Sequence, residues 1–257
     1  MTAADSGGIP TLTIEGVIAT IRLNRPAVHN RIEPADLIAL HGLLDRIEAE
    51  PALRVVILTA TGKSFSSGFH IGALGTGETQ EEDAFAKFAD RLERLRLPTI
   101  CALNGGVYGG STDLALACDF RIGVTGMAMF MPAARLGVHY YPGGIQRYVS
   151  RLGLNTAKRM FLLAERFEAE ELLRVGYLDE LVPPERLMPR VAEIAEKLAE
   201  NAPLAVQGMK AALNDIARGD ADLKAIADRA AAAKRSNDMA EGRAAWLEKR
   251  KPRFTGT

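Results

Sequence analysis

Residues 99–119 read T-I-C-A-L-N-G-G-V-Y-G-G-S-T-D-L-A-L-A-C-D, and three kinds of segment follow one another there without a break. T-I-C-A-L is an unbroken apolar run, the pattern of a strand buried on both faces of a sheet. A glycine-rich loop follows at once, and then the apolar helix L-A-L-A-C. Gly110 therefore falls at or near a helix N-terminus, where unpaired backbone N–H groups and the helix dipole favour negative charge. The missing Cβ lets a ligand oxygen approach closely. Taken alone, the loop reads equally well as a simple tight turn.

The same transition occurs earlier in the chain. R-V-V-I-L-T-A (54–60) is a second continuous apolar run, and K-S-F-S-S-G-F-H-I-G (63–72) is the loop behind it. Gly68 permits positive φ and can turn the N–H of Phe69 into the space that Gly110 faces. Two N–H donors converging on one oxygen form an oxyanion hole, and one such donor is typically worth about 3 kcal/mol of transition-state stabilisation. D-F-R-I-G (119–123) reads as a further strand, and residues 11–23 as two short strands around a turn at Glu15-Gly16. Leu37, Leu40, Leu43, Leu44 and Ile47 mark a helix from Glu33 to Glu48, with Pro34 in its first turn. Another helix is expected from Gln80 to Arg96, ending before Pro98. Alternation of strand, helix and buried strand predicts an α/β architecture with short crossovers. Residues 137–144, G-V-H-Y-Y-P-G-G, read as a loop. Beyond residue 154 the chain reads as mostly helical, over 155–164, 168–175, 185–200, 203–217, 219–236 and 238–249. The expected division is a core over 1–200 and a helical region over 201–257.

The chain has 257 residues, 47% of them hydrophobic and 25% charged, as in an ordinary globular protein. Lys plus Arg and Asp plus Glu are 32 each, so no basic excess points to nucleic acid. Cys101 and Cys118 lie in apolar stretches and read as buried reduced thiols, with neither a disulfide framework nor metal-ligand spacing. The N-terminus lacks the pattern of a signal peptide, and no apolar run has the length of a membrane span. The expectation is a cytoplasmic protein with no metal, no nucleic-acid partner and no membrane partner.

Six segments together resemble the enoyl-CoA hydratase/isomerase (crotonase) superfamily. They are I-R-L-N-R-P, R-V-V-I-L-T-A-T-G-K-S-F-S-S-G, N-G-G-V-Y-G-G-S-T-D-L-A-L-A-C-D-F-R-I, L-G-V-H-Y-Y-P-G-G-I-Q-R, R-V-G-Y-L-D-E-L-V-P and W-L-E-K-R-K-P-R-F. They stand in the family's order across nearly the whole chain. The resemblance implies a repeated ββα spiral core, a C-terminal helical trimerisation region, and a homotrimer or dimer of trimers. It implies an acyl-CoA substrate, with coenzyme A entering as part of that substrate and no permanently bound cofactor. It implies that the thioester oxygen is held by the N–H groups of Phe69 and Gly110. The substrate would also pass Ala27, Val28, Ser67, His70, Ile71 and Ala133. The basic end Lys249, Arg250, Lys251 and Arg253 fits phosphate contacts or a solvated helix end.

Family hydratases place two glutamates around the enoyl group, and here the pattern breaks twice. The first position, one helical turn after the oxyanion glycine, is Asp113, whose side chain is shorter by one bond of about 1.5 Å. The second, after Pro132, is Ala133, which can neither activate water nor deliver a proton. Tyr140 and His139 are the candidate replacements, since a hydroxyl can orient a proton and histidine titrates near neutrality. The decarboxylase branch of the family has a tyrosine at the position of Tyr140. Met127, Met129, Phe130, Met131 and Tyr141 read as pocket wall or as core. Three readings follow: a hydratase-like lyase or isomerase using Asp113, a decarboxylase of malonyl-type thioesters using Tyr140, and a non-catalytic acyl-CoA binding protein. A hydrolase of a diketone carbon–carbon bond stands further off.

Overall fold

The computed structural model describes residues 7–70, 72 and 83–257. In chain order the elements are β1 (Thr11–Glu15), β2 (Ile18–Leu23), α1 (Pro34–Glu48), β3 (Val55–Ala60), β4 (Ser64–Ser66) and α2 (Ala84–Arg94). Then come β5 (Thr99–Leu103), β6 (Gly106–Tyr108), α3 (Ser111–Ala117), β7 (Phe120–Val124), β8 (Ala128–Phe130), α4 (Pro142–Leu152) and α5 (Leu154–Leu162). The chain continues with β9 (Arg166–Glu168), α6 (Ala169–Arg174), β10 (Glu180–Val182), α7 (Leu187–Ala199), α8 (Pro203–Arg218), α9 (Leu223–Lys234) and α10 (Asn237–Glu248).

Two sheets share the strands. The larger runs β1-β2-β3-β5-β7-β10 and the smaller β4-β6-β8-β9. Each turn of the chain adds one strand to the large sheet, one to the small sheet, and then a helix: β3, β4 and α2, then β5, β6 and α3, then β7, β8 and α4. This is the repeated ββα spiral. The pairings β3–β5, β5–β7, β4–β6 and β6–β8 are all parallel, because every strand re-enters its sheet after a crossover. All residues of β3 and β5 are buried, which is why they appear as apolar runs without alternation. Helix α7 packs on β3, β5 and β7, and α8 packs on α2 and α4. Cys101 and Cys118 are both buried and free.

Three expectations are corrected. Residues 142–144 begin helix α4 instead of ending a loop. Pro142 takes the first helical position, which needs no N–H. The helix expected over 219–236 begins only at Leu223, because Asp222 caps it by accepting from the N–H groups of Lys224 and Ala225. The helix expected from Gln80 to Arg96 ends at Arg94 and is described from Ala84, Gln80 lying outside the described residues. Met127, Met129 and Met131 belong to the core, whereas Tyr141 is only partly buried.

Candidate active site

The two glycine-rich loops leave the ends of β4 and β6, which are neighbours in the small sheet, so the topology alone brings them together. Gly68 (φ +99°) and Gly109 (φ +55°) both adopt conformations that side chains disfavour. Their backbones touch: a Cβ on Gly68 would lie 2.8 Å from the Tyr108 carbonyl oxygen and 3.4 Å from the Gly110 nitrogen.

A buried brace locks this contact. Ser66 Oγ donates to the Asn30 carbonyl at 2.7 Å, which leaves its lone pairs to accept from Ser111 Oγ at 2.7 Å and the Gly68 N–H at 3.2 Å. Ile32 pairs with the Phe69 segment as a short parallel bridge, in which Ile32 N–H donates to Gly68 O and His70 N–H to Ile32 O. That pattern points the Phe69 N–H away from the bridge. Gly110 caps α3. Among the described residues, neither the Phe69 nor the Gly110 N–H donates to a protein acceptor.

Aromatic rings wall this spot. A Cβ on Gly110 would meet the Phe85 ring at 2.9 Å. The Phe85 ring lies 5.7 Å from that of Phe69 and 6.4 Å from that of Tyr141.

Asp113 lies one turn beyond Gly110 and is fully buried. Its carboxylate accepts from Arg147 Nε at 3.0 Å on one oxygen and from Arg147 Nη2 at 2.6 Å on the other. The second oxygen also accepts the Tyr141 hydroxyl at 2.5 Å. Three of its roughly four lone-pair sites are thereby filled. Burial first, and then the Asp113 charge, push the Tyr141 hydroxyl well above its ordinary pKa. Tyr140 stands one step back: its ring stacks on Tyr141 at 4.3 Å, and its hydroxyl donates to the Tyr141 oxygen at 3.3 Å. Burial foremost raises the Tyr140 pKa as well.

The other residues singled out in the sequence fall around this centre. Ala133 is buried beside Pro132 and presents only a methyl group. His139 is exposed, and its Nδ1–H donates to the Tyr140 carbonyl at 2.8 Å, so it joins none of the acid/base contacts. Nδ1 of His70 pairs with Glu33 at 2.7 Å. Burial raises the Glu33 pKa, but the bonds from Arg31 and His70 outweigh it and hold that carboxyl low. Ala27 and Val28 form an exposed turn tied to the first loop, since Ser67 N–H donates to His29 O at 2.8 Å and Ser67 Oγ to Val28 O at 3.3 Å. Ile71 lies outside the described residues. Arg250 is engaged by Glu241 and Glu248, and Lys251 by Glu200.

Tyr141 and Arg147 are the two residues that sequence reasoning did not assign to the acid/base chemistry. The Tyr-Tyr pair was visible, but which hydroxyl points at Asp113 depends on the turn into α4. Arg147 is 34 residues from Asp113, and no spacing rule connects them.

A family model described as enoyl-CoA hydratase/isomerase matches residues 13–257. A crotonyl-CoA hydratase of Syntrophomonas wolfei is 32% identical over 247 residues, covering 93% of this chain and 95% of the relative. A carnitinyl-CoA dehydratase of Salmonella arizonae is 34% identical, covering 95% of this chain and 97% of the relative. The crystal structure of an enoyl-CoA hydratase from Bacillus anthracis superimposes with a TM-score of 0.88 at 32% identity, over 97% of this chain and all of that one. The chain belongs to the enoyl-CoA hydratase/isomerase family.

Proposed function

We propose that this member of the enoyl-CoA hydratase/isomerase family is a lyase or isomerase that forms a thioester enolate and moves protons with one acid/base unit, Asp113–Tyr141. In this reading the thioester oxygen accepts hydrogen bonds from the N–H groups of Phe69 and Gly110. The enolate is stabilised there because its oxygen gains charge against fixed donors that need no reorganisation.

The single observation that carries the reading is the hydrogen bond from Tyr141 to fully buried Asp113, one helical turn from Gly110. A carboxylate with no exposed surface does not meet a substrate directly, whereas the Tyr141 side chain is partly exposed beside Phe85. As the Cα–H bond breaks, its proton passes to the Tyr141 oxygen, and the phenolic proton passes to Asp113. The electron pair left on carbon delocalises onto the thioester oxygen. Returning the proton at another carbon gives isomerisation, and delivering it to a leaving group at Cβ gives elimination. Both need one such unit, whereas concerted hydration needs two, and Ala133 supplies no second. Ala27, Val28, Ser67, His70 and Ile71 belong to the route of the CoA ester in this reading, and Tyr140 and His139 to its surroundings.

A second reading, decarboxylation of a malonyl-type thioester, is favoured by Arg147. Its guanidinium neutralises Asp113 and so removes the repulsion that a lone carboxylate would exert on an anionic acyl group. Loss of CO₂ leaves the same enolate, for Tyr141 to protonate with Tyr140 behind it.

One experiment separates these. A panel of 2-enoyl-, 3-enoyl- and malonyl-type CoA thioesters is incubated with the protein in deuterated water and followed by mass spectrometry. Deuterium uptake supports the primary reading, and Tyr141→Phe should abolish it. Loss of CO₂ favours the second, and no change in any member sinks both.

We also assign the exposed apolar side chains of the C-terminal helices to contacts between copies of the chain. Leu213, Leu223, Trp246 and Leu247 are each more than two-thirds exposed, apolar side chains that a neighbouring copy would cover. Sedimentation should return three or six times 27.7 kDa, and a monomer would remove this assignment. No helix among the described residues is long and apolar enough to cross a membrane.

A further inference from the structure

Behind the Asp113–Tyr141 unit lies a buried ion cluster that the proposed chemistry does not itself use. Arg147 on α4 is 2% exposed and sits at its centre. Its Nε and Nη2 hold both oxygens of Asp113, and its Nη1 donates to Asp90 at 2.7 Å and to Glu93 at 3.4 Å, both on α2. Glu93, itself buried, also accepts from Arg151 at 2.9 Å and from Arg218 of α8 at 3.4 Å. Three carboxylates thus face three guanidinium groups, of which Arg218 also pairs with Asp215 and Asp220.

We propose that Arg147 is the positioning residue of the site: it touches neither the oxyanion donors nor their aromatic wall, and it holds the Asp113 carboxylate against the Tyr141 hydroxyl. This rests on the reading of Asp113–Tyr141 as the acid/base unit. The planar guanidinium meets both carboxylate oxygens at once, which fixes the plane of the carboxylate as a lysine ammonium cannot. That plane decides whether an oxygen lone pair points at Tyr141. The opposite edge of the guanidinium is held by Asp90 and Glu93, so Arg147 cannot swing without breaking bonds to α2. Stability alone gives no reason for such a cluster, since well-packed apolar replacements of buried ion pairs are often neutral or stabilising.

The test compares Arg147→Met and Arg147→Lys with the unaltered protein on the thioester that the panel identifies. Arg147→Met should lower kcat about a hundredfold at pH 7, the usual scale for general acid–base catalysis. KM should change little, because Arg147 is remote from the ester. Arg147→Lys should recover part of kcat. An Arg147→Met protein with unchanged kcat per folded molecule overturns the proposal. A second readout does not depend on turnover. In protein labelled at the tyrosine ζ-carbon, the Tyr141 resonance is assigned with Tyr141→Phe. It should shift in Arg147→Met. If it does so while no thioester reacts, positioning stands and the catalytic reading fails. If it stays in place in a folded variant, positioning is refuted.

Discussion

Replacing Gly68 by alanine tests the oxyanion geometry without touching any group that carries charge. The new Cβ would sit 2.8 Å from the Tyr108 carbonyl oxygen, about 0.6 Å short of the 3.4 Å at which ordinary contact begins. Neither side can yield by rotating a side chain, because the obstacle is backbone. The φ of +99° adds a conformational cost of about 1–3 kcal/mol. For a chain of this size that lowers Tm by about 2–12 °C. The crowding should also push the Phe69 N–H away from the Gly110 N–H. Loss of one well-placed donor costs about 3 kcal/mol, or roughly a hundredfold. The assay is the near-ultraviolet absorbance of the enolate of a 3-oxoacyl-CoA on binding, which reports oxyanion stabilisation whatever the natural reaction. Gly176→Ala is the control. Its φ is +76° and a Cβ there meets nothing within 4 Å, so it should lose similar stability and keep full enolate binding. Gly68→Ala with the enolate signal of the unaltered protein would refute the idea that contact between the two loops sets the spacing of the donors.

Three further outcomes are expected. Ser66→Ala leaves Ser111 Oγ and the Gly68 N–H without their shared acceptor in a buried setting; a stability loss of about 1–3 kcal/mol should appear in urea unfolding, with kcat falling as well. Ala133→Glu puts a second carboxylate where the family's hydratases carry one; water addition to a 2-enoyl-CoA should rise at least tenfold on the scale of acid–base catalysis, and a folded variant without hydration would show that more than this carboxylate is missing. Glu241 anchors the C-terminal tail by accepting from the Arg250 side chain and the Arg253 N–H, which hold its pKa at about 2 against an ordinary 4.5. The anchor is complete above pH 4.5 and is lost as pH falls toward 2, so the protection factor of the Arg253 amide against hydrogen exchange should fall across that window and stay flat above it.

Much of this was legible because burial leaves marks on a sequence. Strands β3 and β5 appear as apolar runs since helices and the second sheet cover both faces. Strands β4, β6 and β8 were invisible because three residues cannot display a period. Helix α4 was hidden for a different reason. Its first turn is Pro142-Gly143-Gly144, poor in helix-forming residues. Those glycines answer tertiary crowding: a Cβ on Gly143 would strike the Asp90 carboxylate, and one on Gly144 the rings of Tyr140 and Tyr141. The two loops proposed to supply the oxyanion donors were readable from loop chemistry. The partner of Asp113 was not, since two opposite charges 34 residues apart announce no pairing until α3 and α4 pack together.

That pairing changes what the departures from the two-glutamate pattern mean. Ala133 alone would read as a lost function, and Asp113 alone as a shortened one. In the proposed site Arg147 holds both oxygens of the shorter carboxylate, and Tyr141 is hydrogen-bonded to one of them. The reach removed from residue 113 is thus returned by a phenol, which brings a hydroxyl to the wall beside Phe85. A phenol held by a carboxylate can accept and return a proton, but it does not activate a water as a free glutamate does. The same geometry therefore argues against concerted hydration and for proton transfer at an enolate. Asp113→Asn separates the two. The amide oxygen can still accept from Tyr141, while its NH2 meets the Arg147 Nε–H and costs stability; per folded molecule the relay loses its proton acceptor, and deuterium exchange at Cα should fall about a hundredfold or more. Exchange at the rate of the unaltered protein would mean that Tyr141 works alone, and Asp113 would then be only the anchor that Arg147 holds.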